Sequence, residues 1–103
     1  MRFVAAGVLL LVVLAPRVAA QDIRDKYGTR SLEAAAAFEE GMKLAQRGKF
    51  NDSLAPFKKA AALDPEFQIA YYWLGYAHEN LGDIRQALAA YEKLLEVSPP
   101  GRI

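Results

Sequence analysis

Apolar residues beyond residue 30 recur with the period of an α-helix. In the stretch 67–81, Tyr71, Leu74 and His78 follow one another at intervals of three and four residues, which places them on one stripe of a helix. Tyr72 and Tyr76 fall on a second stripe about 100° further round. Glycine or proline separates this stretch from its neighbours on both sides, so the pattern predicts an all-α chain.

Capping residues, glycines and prolines define four predicted helices. Ser31 caps the first helix, and Gly48 can take the left-handed conformation that ends it. Asn51 and Asp52 offer caps for the second helix. The start of this helix is left open, because Pro56 falls inside it and lacks the backbone donor that every position beyond the first turn needs. The first predicted helix ends at Arg47, and the second ends before Asp64-Pro65. The third ends at Leu81, ahead of Gly82. The fourth runs from Ile84 to Val97 and is followed by Ser98-Pro99.

Like residues recur along the chain at a spacing of 34. The matched pairs are Gly41 and Gly75, Gly48 and Gly82, Leu54 and Leu88, Phe57 and Tyr91, Leu63 and Val97, and Pro65 and Pro99. This spacing divides the chain into two helix–turn–helix units over residues 34–65 and 66–99. A leader of residues 21–33 precedes them, and a tail of residues 100–103 follows.

Both units resemble the tetratricopeptide repeat (TPR), whose pattern is W-x2-L-G-x2-Y, then A-x3-F, then P. The second unit carries Tyr71, Leu74, Gly75, His78, Ala87, Tyr91 and Pro99 at these positions, and the first carries Ala37, Glu40, Gly41, Leu44, Ser53, Phe57 and Pro65. Glu40 departs from the usual apolar residue. The resemblance implies a fragment of an α-solenoid in which neighbouring helix pairs share a core. Gly41 and Gly75 would allow close helix approach beside Phe57 and Tyr91.

The resemblance also implies a concave groove that receives a peptide or a partner helix. The predicted groove residues are Phe38, Met42, Gln46, Tyr72, Tyr76, Glu79 and Asn80. Phe38 and Tyr72 could instead pack between adjacent helices. The positions that hold a partner's terminal carboxylates in chaperone-binding members carry no cation here, so the predicted partner is an apolar peptide or an amphipathic helix.

The N-terminus has the order of a secretory signal peptide. Arg2 is followed by the apolar run 3–15 and by Val18-Ala19-Ala20, small residues of the kind that precede a cleavage site. Pro16-Arg17 interrupts the run before the roughly 20 residues of a transmembrane helix are reached. We expect cleavage of residues 1–20 to leave Gln21 first, with export to the periplasm or the exterior and no stable membrane span afterwards. An uncleaved anchor and a helix of the mature fold are the alternatives.

Composition narrows the possible partners and chemistries. Removing Arg2 and Arg17 from the 13 basic residues leaves 11 against 12 acidic ones, so nothing favours nucleic acid binding. Cysteine is absent, which excludes disulfides and cysteine-based zinc sites. His78 is the only histidine and sits at a core position of the repeat, so neither a catalytic site nor a cofactor is predicted.

Self-assembly is the alternative function. Two repeats fall below the three or so that a stable stack usually needs. The chain could therefore form a homo-oligomer, or it could be a fragment of a longer array. The principal prediction is an exported, non-enzymatic scaffold or assembly factor.

Overall fold

A computed structural model describes residues 26–98. The predicted signal peptide, the first residues of the leader and the C-terminal tail lie outside the described residues. Within them the chain is helical and contains no strand, which confirms the predicted all-α class. After a short helical stretch at Lys26 and Tyr27 come α1 (Leu32–Gln46), α2 (Phe50–Leu63), α3 (Gln68–Asn80) and α4 (Ile84–Val97).

Most of the predicted helix ends are confirmed. The Ser31 hydroxyl accepts a hydrogen bond from the Ala34 amide at 3.0 Å and so caps α1. Gly48 and Gly82 have φ of 77° and 78°, the left-handed conformation expected after α1 and α3. The fourth helix begins behind Asp83, whose carboxylate accepts from the Gln86 amide at 3.4 Å.

The predicted caps of the second helix are wrong. Asn51 and Asp52 lie inside the first turn of α2, and Lys49 is its N-cap without a side-chain hydrogen bond. The turn at Gly48 is so tight that the Lys49 amide still bonds to α1 while its carbonyl already accepts from the Ser53 amide at 3.1 Å. Pro56 therefore lies in the second turn of α2, where the carbonyl of Asp52, an exposed residue, loses its helical donor.

The helices stack in the order of the chain. α1 packs against α2, α3 packs against α4, and α3 also packs against α2. Phe38 lies at the centre of the core, with its ring centroid 5.7 Å from that of Phe57 and 5.4 Å from that of Phe67. Phe57 and Phe67 are fully buried. The shared core therefore joins the two units, as the packing of repeats requires.

Two glycines let the paired helices approach closely. A Cβ on Gly41 would lie 2.6 Å from Cδ1 of Phe57, and one on Gly75 would lie 2.8 Å from Cδ1 of Tyr91. Carbon atoms normally approach to about 3.5–4.0 Å. The prediction that both positions need small residues is confirmed.

The end of the leader is part of the fold. Buried Thr29 donates a hydrogen bond from its hydroxyl to the Asp64 carboxylate at 2.5 Å and accepts one from the Ser31 amide at 3.2 Å. Tyr27 packs edge-on against Phe38 with ring centroids 5.5 Å apart. These contacts tie residues 27–31 to the α2–α3 connection and cover one side of α1.

His78 packs inside the second unit, as predicted. Its side chain is buried, and Nδ1 lies 3.7 Å from the Asp83 carboxylate, too far for a hydrogen bond. Burial lowers the pKa of His78, and the attraction of Asp83 opposes this shift.

Candidate partner-binding surface

Five rings in successive contact form a continuous aromatic surface. It consists of Phe50, Tyr76, Trp73, Tyr72 and Tyr91, in that order. The successive ring centroids are 5.9, 5.2, 5.7 and 6.2 Å apart. Most of these pairs meet edge to face, an arrangement that aromatic rings favour.

Two tyrosines of α3 are the accessible part of the aromatic surface. Tyr72 is 47% exposed and Tyr76 is 38% exposed, whereas Trp73 is half-buried against the core. Their backbone belongs to a regular helix packed on both α2 and α4. The backbone that carries both rings is thus held in place, so little backbone freedom is lost on binding.

One predicted groove residue is wrong. Phe38 is only 3% exposed, because Tyr27, Phe57 and Phe67 surround its ring. It is a core residue and cannot contact a partner. Of the two interpretations that the sequence left open for Phe38, the packing one is correct.

The remaining α1 positions of the predicted groove differ from each other. Met42 is half-buried and packs against the core, while Gln46, the last residue of α1, is exposed. Both remain predicted contact residues. Met42 can adapt its shape to a partner because its side chain is unbranched and flexible.

Two predicted groove residues are engaged within the chain. The Glu79 carboxylate accepts a hydrogen bond from the Tyr91 hydroxyl at 2.5 Å, and burial together with this bond raises the pKa of Tyr91. The Asn80 side-chain amide donates to the Tyr76 carbonyl at 2.8 Å, near the end of α3. Both residues are exposed, and the Glu79 bond links α3 to α4, whereas the Asn80 bond stays within the last turn of α3.

A second apolar surface runs along α4. We call Ile84, Leu88, Tyr91 and Leu95 the α4 stripe. Its three aliphatic members are among the most exposed large apolar side chains of residues 26–98, at 64%, 57% and 56%. Glu79 and Ala87 join part of the stripe around an open pocket of about 300 Å³.

The sequence interpretation missed several members of these surfaces. The predicted groove did not include Phe50 and Trp73. Trp73 lies about 100° around α3 from Tyr72, off the predicted stripe. Phe50 reaches Tyr76 from the start of another helix. The α4 stripe was visible in the 34-residue spacing, since Leu88 matches Leu54.

Other kinds of site find no support in the described part of the chain. No helix within residues 26–98 combines the length and the apolar character needed to cross a bilayer. In that same range, no three His, Cys, Asp or Glu side chains come together as metal ligands would.

Two family models match the chain. One, described as "TPR repeat", matches residues 41–82, and another, described as "Tetratricopeptide repeat", matches residues 69–100. With the four helices and their order, these matches define the class. The protein is an all-α chain with two tandem tetratricopeptide repeats.

Two curated relatives contain similar sequence. The chain is 43% identical over 56 residues to the Hsp70-Hsp90 organizing protein of Triticum aestivum. It is 35% identical over 58 residues to the Small glutamine-rich tetratricopeptide repeat-containing protein 2 of Mycosarcoma maydis. These segments cover 54% and 56% of this chain but only 10% and 16% of the relatives. No solved structure matches the chain.

Proposed function

We propose that this protein is an exported scaffold or assembly factor that binds an apolar peptide or helix of a partner on the aromatic surface. The repeats make the chain a protein–protein interaction module. Binding of an apolar segment on the aromatic surface is proposed because Tyr72 and Tyr76 are half-exposed and belong to a continuous array of rings on a packed helix. Tyrosine gives a large contact area at low conformational cost, and its hydroxyl adds a polar contact at the edge.

The side chains present favour an apolar segment over a chain terminus. One relative is named for organizing Hsp70 and Hsp90. In this chain, Met42, Tyr72 and Tyr76 occupy positions where carboxylate recognition would need lysine, arginine or asparagine. Rings and a thioether bind apolar side chains, so the proposed partner presents leucine-like or aromatic residues.

The burial of His78 supports a non-enzymatic role. A general base must reach its substrate, but this imidazole is only 5% exposed. We therefore propose binding without catalysis or a cofactor.

The proposed export depends on residues 1–20. Their charged start, apolar run and small residues support signal-peptide cleavage. Intact-mass measurement of protein recovered from its exporting host should give a chain that begins at Gln21. A mass that includes residues 1–20 would refute the proposed cleavage without affecting the binding proposal.

Binding on the aromatic surface can be tested before the natural partner is identified. Peptides selected by display against the purified protein are titrated while the emission of Trp73 is followed. Trp73 is the only tryptophan, and its ring centroid lies 5.2 Å from that of Tyr76. Tyr76→Ala should weaken the selected peptides by about 2 kcal/mol, or about thirtyfold, while its melting temperature stays close to that of the wild type.

Leu63→Ala is the matched control. Leu63 is 39% exposed, nearly the same as Tyr76, but it ends α2 and lies outside the aromatic surface. Its loss should leave peptide binding unchanged. If the peptides bind Tyr76→Ala as tightly as the wild type, the aromatic surface is not the binding site.

A further inference from the structure

The α4 stripe has the spacing of a helix-pairing seam. Ile84, Leu88, Tyr91 and Leu95 are separated by four, three and four residues, as are the core positions of a coiled coil. α4 also separates its apolar and polar faces more strongly than α1, α2 or α3. An exposed apolar seam of this kind marks a surface that packs against another helix.

The equivalent stripe of the first repeat, on α2, is covered by other parts of the chain. The residues 34 positions earlier are Phe50, Leu54, Phe57 and Ala61, and all four pack in or against the core. α3 packs on α2, and its Tyr76 contacts Phe50, whereas the Phe57 ring faces Gly41 and Phe38 of α1. The α4 stripe therefore repeats a surface that elsewhere in the same molecule lies against a helix.

A head-to-tail stack of copies does not supply that helix. In such a stack, α1 of the second copy would pack on α4 in the same way that α3 packs on α2. The side chains through which α3 packs include Phe67, Leu74 and Ala77, and the residues 34 positions earlier are exposed Glu33, Glu40 and Lys43. Placing these charges on an apolar stripe would bury them without partners.

We propose that the α4 stripe pairs with the α4 stripe of a second copy, with the two helices antiparallel. In this alignment Ile84 faces Leu95 of the second copy, and Leu88 faces Tyr91 of the second copy. Arg85 and Glu92 flank the seam on the same side. The antiparallel alignment sets Arg85 opposite Glu92 of the second copy, and twofold symmetry makes this opposite-charge pair twice.

Charge complementarity selects this orientation. In a parallel pair, Glu92 would face Ala87 of the second copy, and neither charged residue would meet its opposite. The inference does not rest on the proposed peptide-binding function. Tyr91 belongs to both surfaces, so the dimer would cover that end of the aromatic surface. Tyr76 lies outside the α4 stripe and would stay accessible.

Sedimentation equilibrium of the full chain over a wide concentration range tests the pairing. The wild type should show a concentration-dependent monomer–dimer equilibrium. Leu88→Glu should raise the dissociation constant about a hundredfold or more, because each dimer loses this leucine twice. Ala89→Glu, on the exposed side of α4 away from the seam, is the matched control and should dimerise normally. All variants share the same N-terminal residues, so association through those residues would appear equally in all of them.

Charge exchange then tests for a second copy in the antiparallel orientation. Arg85→Glu alone should weaken the dimer about fivefold to tenfold by replacing attraction with repulsion twice. Adding Glu92→Arg in the same chain should restore it, because the two pairs re-form with their signs exchanged. Only pairing between identical α4 helices in this orientation gives such a rescue.

Three outcomes would overturn the proposal. A wild type that is monomeric at every concentration would mean that the α4 stripe does not pair with a second copy. Equal dimerisation of Leu88→Glu and wild type would place the contact elsewhere, and failure of the double charge exchange would exclude the antiparallel pair. Peptide binding measured through Trp73 should survive Leu88→Glu, so failure of this proposal is distinguishable from failure of the proposed function.

Discussion

Replacing Gly41 with alanine should destabilise the fold, whereas the same change at Gly75 should leave its stability almost unchanged. Both glycines hold the same place in their repeats, and alanine improves helix propensity by up to about 1 kcal/mol at each. The difference lies in the facing ring. Gly41 faces Phe57, which is fully buried, and Gly75 faces Tyr91, which is half-buried.

The structure gives the size of each effect. A Cβ on Gly41 would be 2.6 Å from Cδ1 of Phe57, so the ring must retreat by about 1 Å to reach normal contact. Phe38 packs against that ring and leaves little room to move. Overpacking costs about 1–3 kcal/mol, and because this ring is confined we expect the upper part of that range, about 2–3 kcal/mol. Subtracting the helix-propensity gain of about 1 kcal/mol leaves a net loss of about 1–2 kcal/mol. A Cβ on Gly75 would also crowd its facing ring, but Tyr91 is only half-buried, and we expect it to shift outwards at the expense of its hydrogen bond to Glu79. The gain and the cost at Gly75 should then cancel to within about 0.5 kcal/mol.

Thermal unfolding followed by circular dichroism measures the difference. Gly41→Ala should lower the melting temperature by about 5–10 °C, given the entropy of unfolding of a domain of this size. Ala36→Gly, at an exposed position of α1, measures the helix-propensity effect by itself and should cost about 1 kcal/mol. If Gly41→Ala melts at or above the wild-type temperature, or if Gly75→Ala loses more stability than Gly41→Ala, the packing argument is wrong. Leucine at Gly75 is larger and should still cost about 1–3 kcal/mol.

Three further predictions concern stability. Urea unfolding should show a loss of about 3–5 kcal/mol for Phe57→Ala but only about 2 kcal/mol for Tyr91→Ala, because Tyr91 is less buried; equal losses would contradict the assigned burial. Thr29→Val should cost about 1–3 kcal/mol in the same assay by removing the hydrogen bond to Asp64, and no loss would show that the leader is not anchored. The unfolded state takes up a proton at its histidine near pH 6.5. Burial lowers the pKa of His78 in the folded state. The contribution of this neutral histidine to the free energy of unfolding is therefore complete above about pH 6.5 and is lost as the pH falls below that value. The melting temperature should therefore drop between about pH 7.5 and 5.5 in the wild type, and His78→Phe should reduce the drop.

The helices could be predicted because their signals are local. Ser31, Gly48 and Gly82 act within one turn of their own positions, and the structure confirms all three. The start of α2 could not be predicted in the same way. It depends on how tightly the chain turns at Gly48, and that turn places Lys49, which has no capping side chain, at the N-cap.

Exposure was harder to predict because it depends on what lies next to each residue. Phe38 and Tyr72 occupy equivalent positions in the two repeats, yet one is 3% and the other 47% exposed. Tyr27 and Phe67 cover Phe38 from two sides. Neither contact follows from a helical stripe, since both residues lie outside α1 and α2. The prediction for Tyr76, which carries the proposed function, remains to be tested by binding.

The uneven covering of the helices also has a consequence for their motions. α2 is packed on both sides, by α1 and α3, whereas α4 packs chiefly against α3 within the described part of the chain. Helical repeats open locally where they have the fewest neighbours. Backbone amides of α4 should therefore exchange with deuterium before those of α2, and limited proteolysis should begin in α4. Any partner that covers α4 would slow both processes at that end of the stack while leaving the exchange of α1 and α2 nearly unchanged.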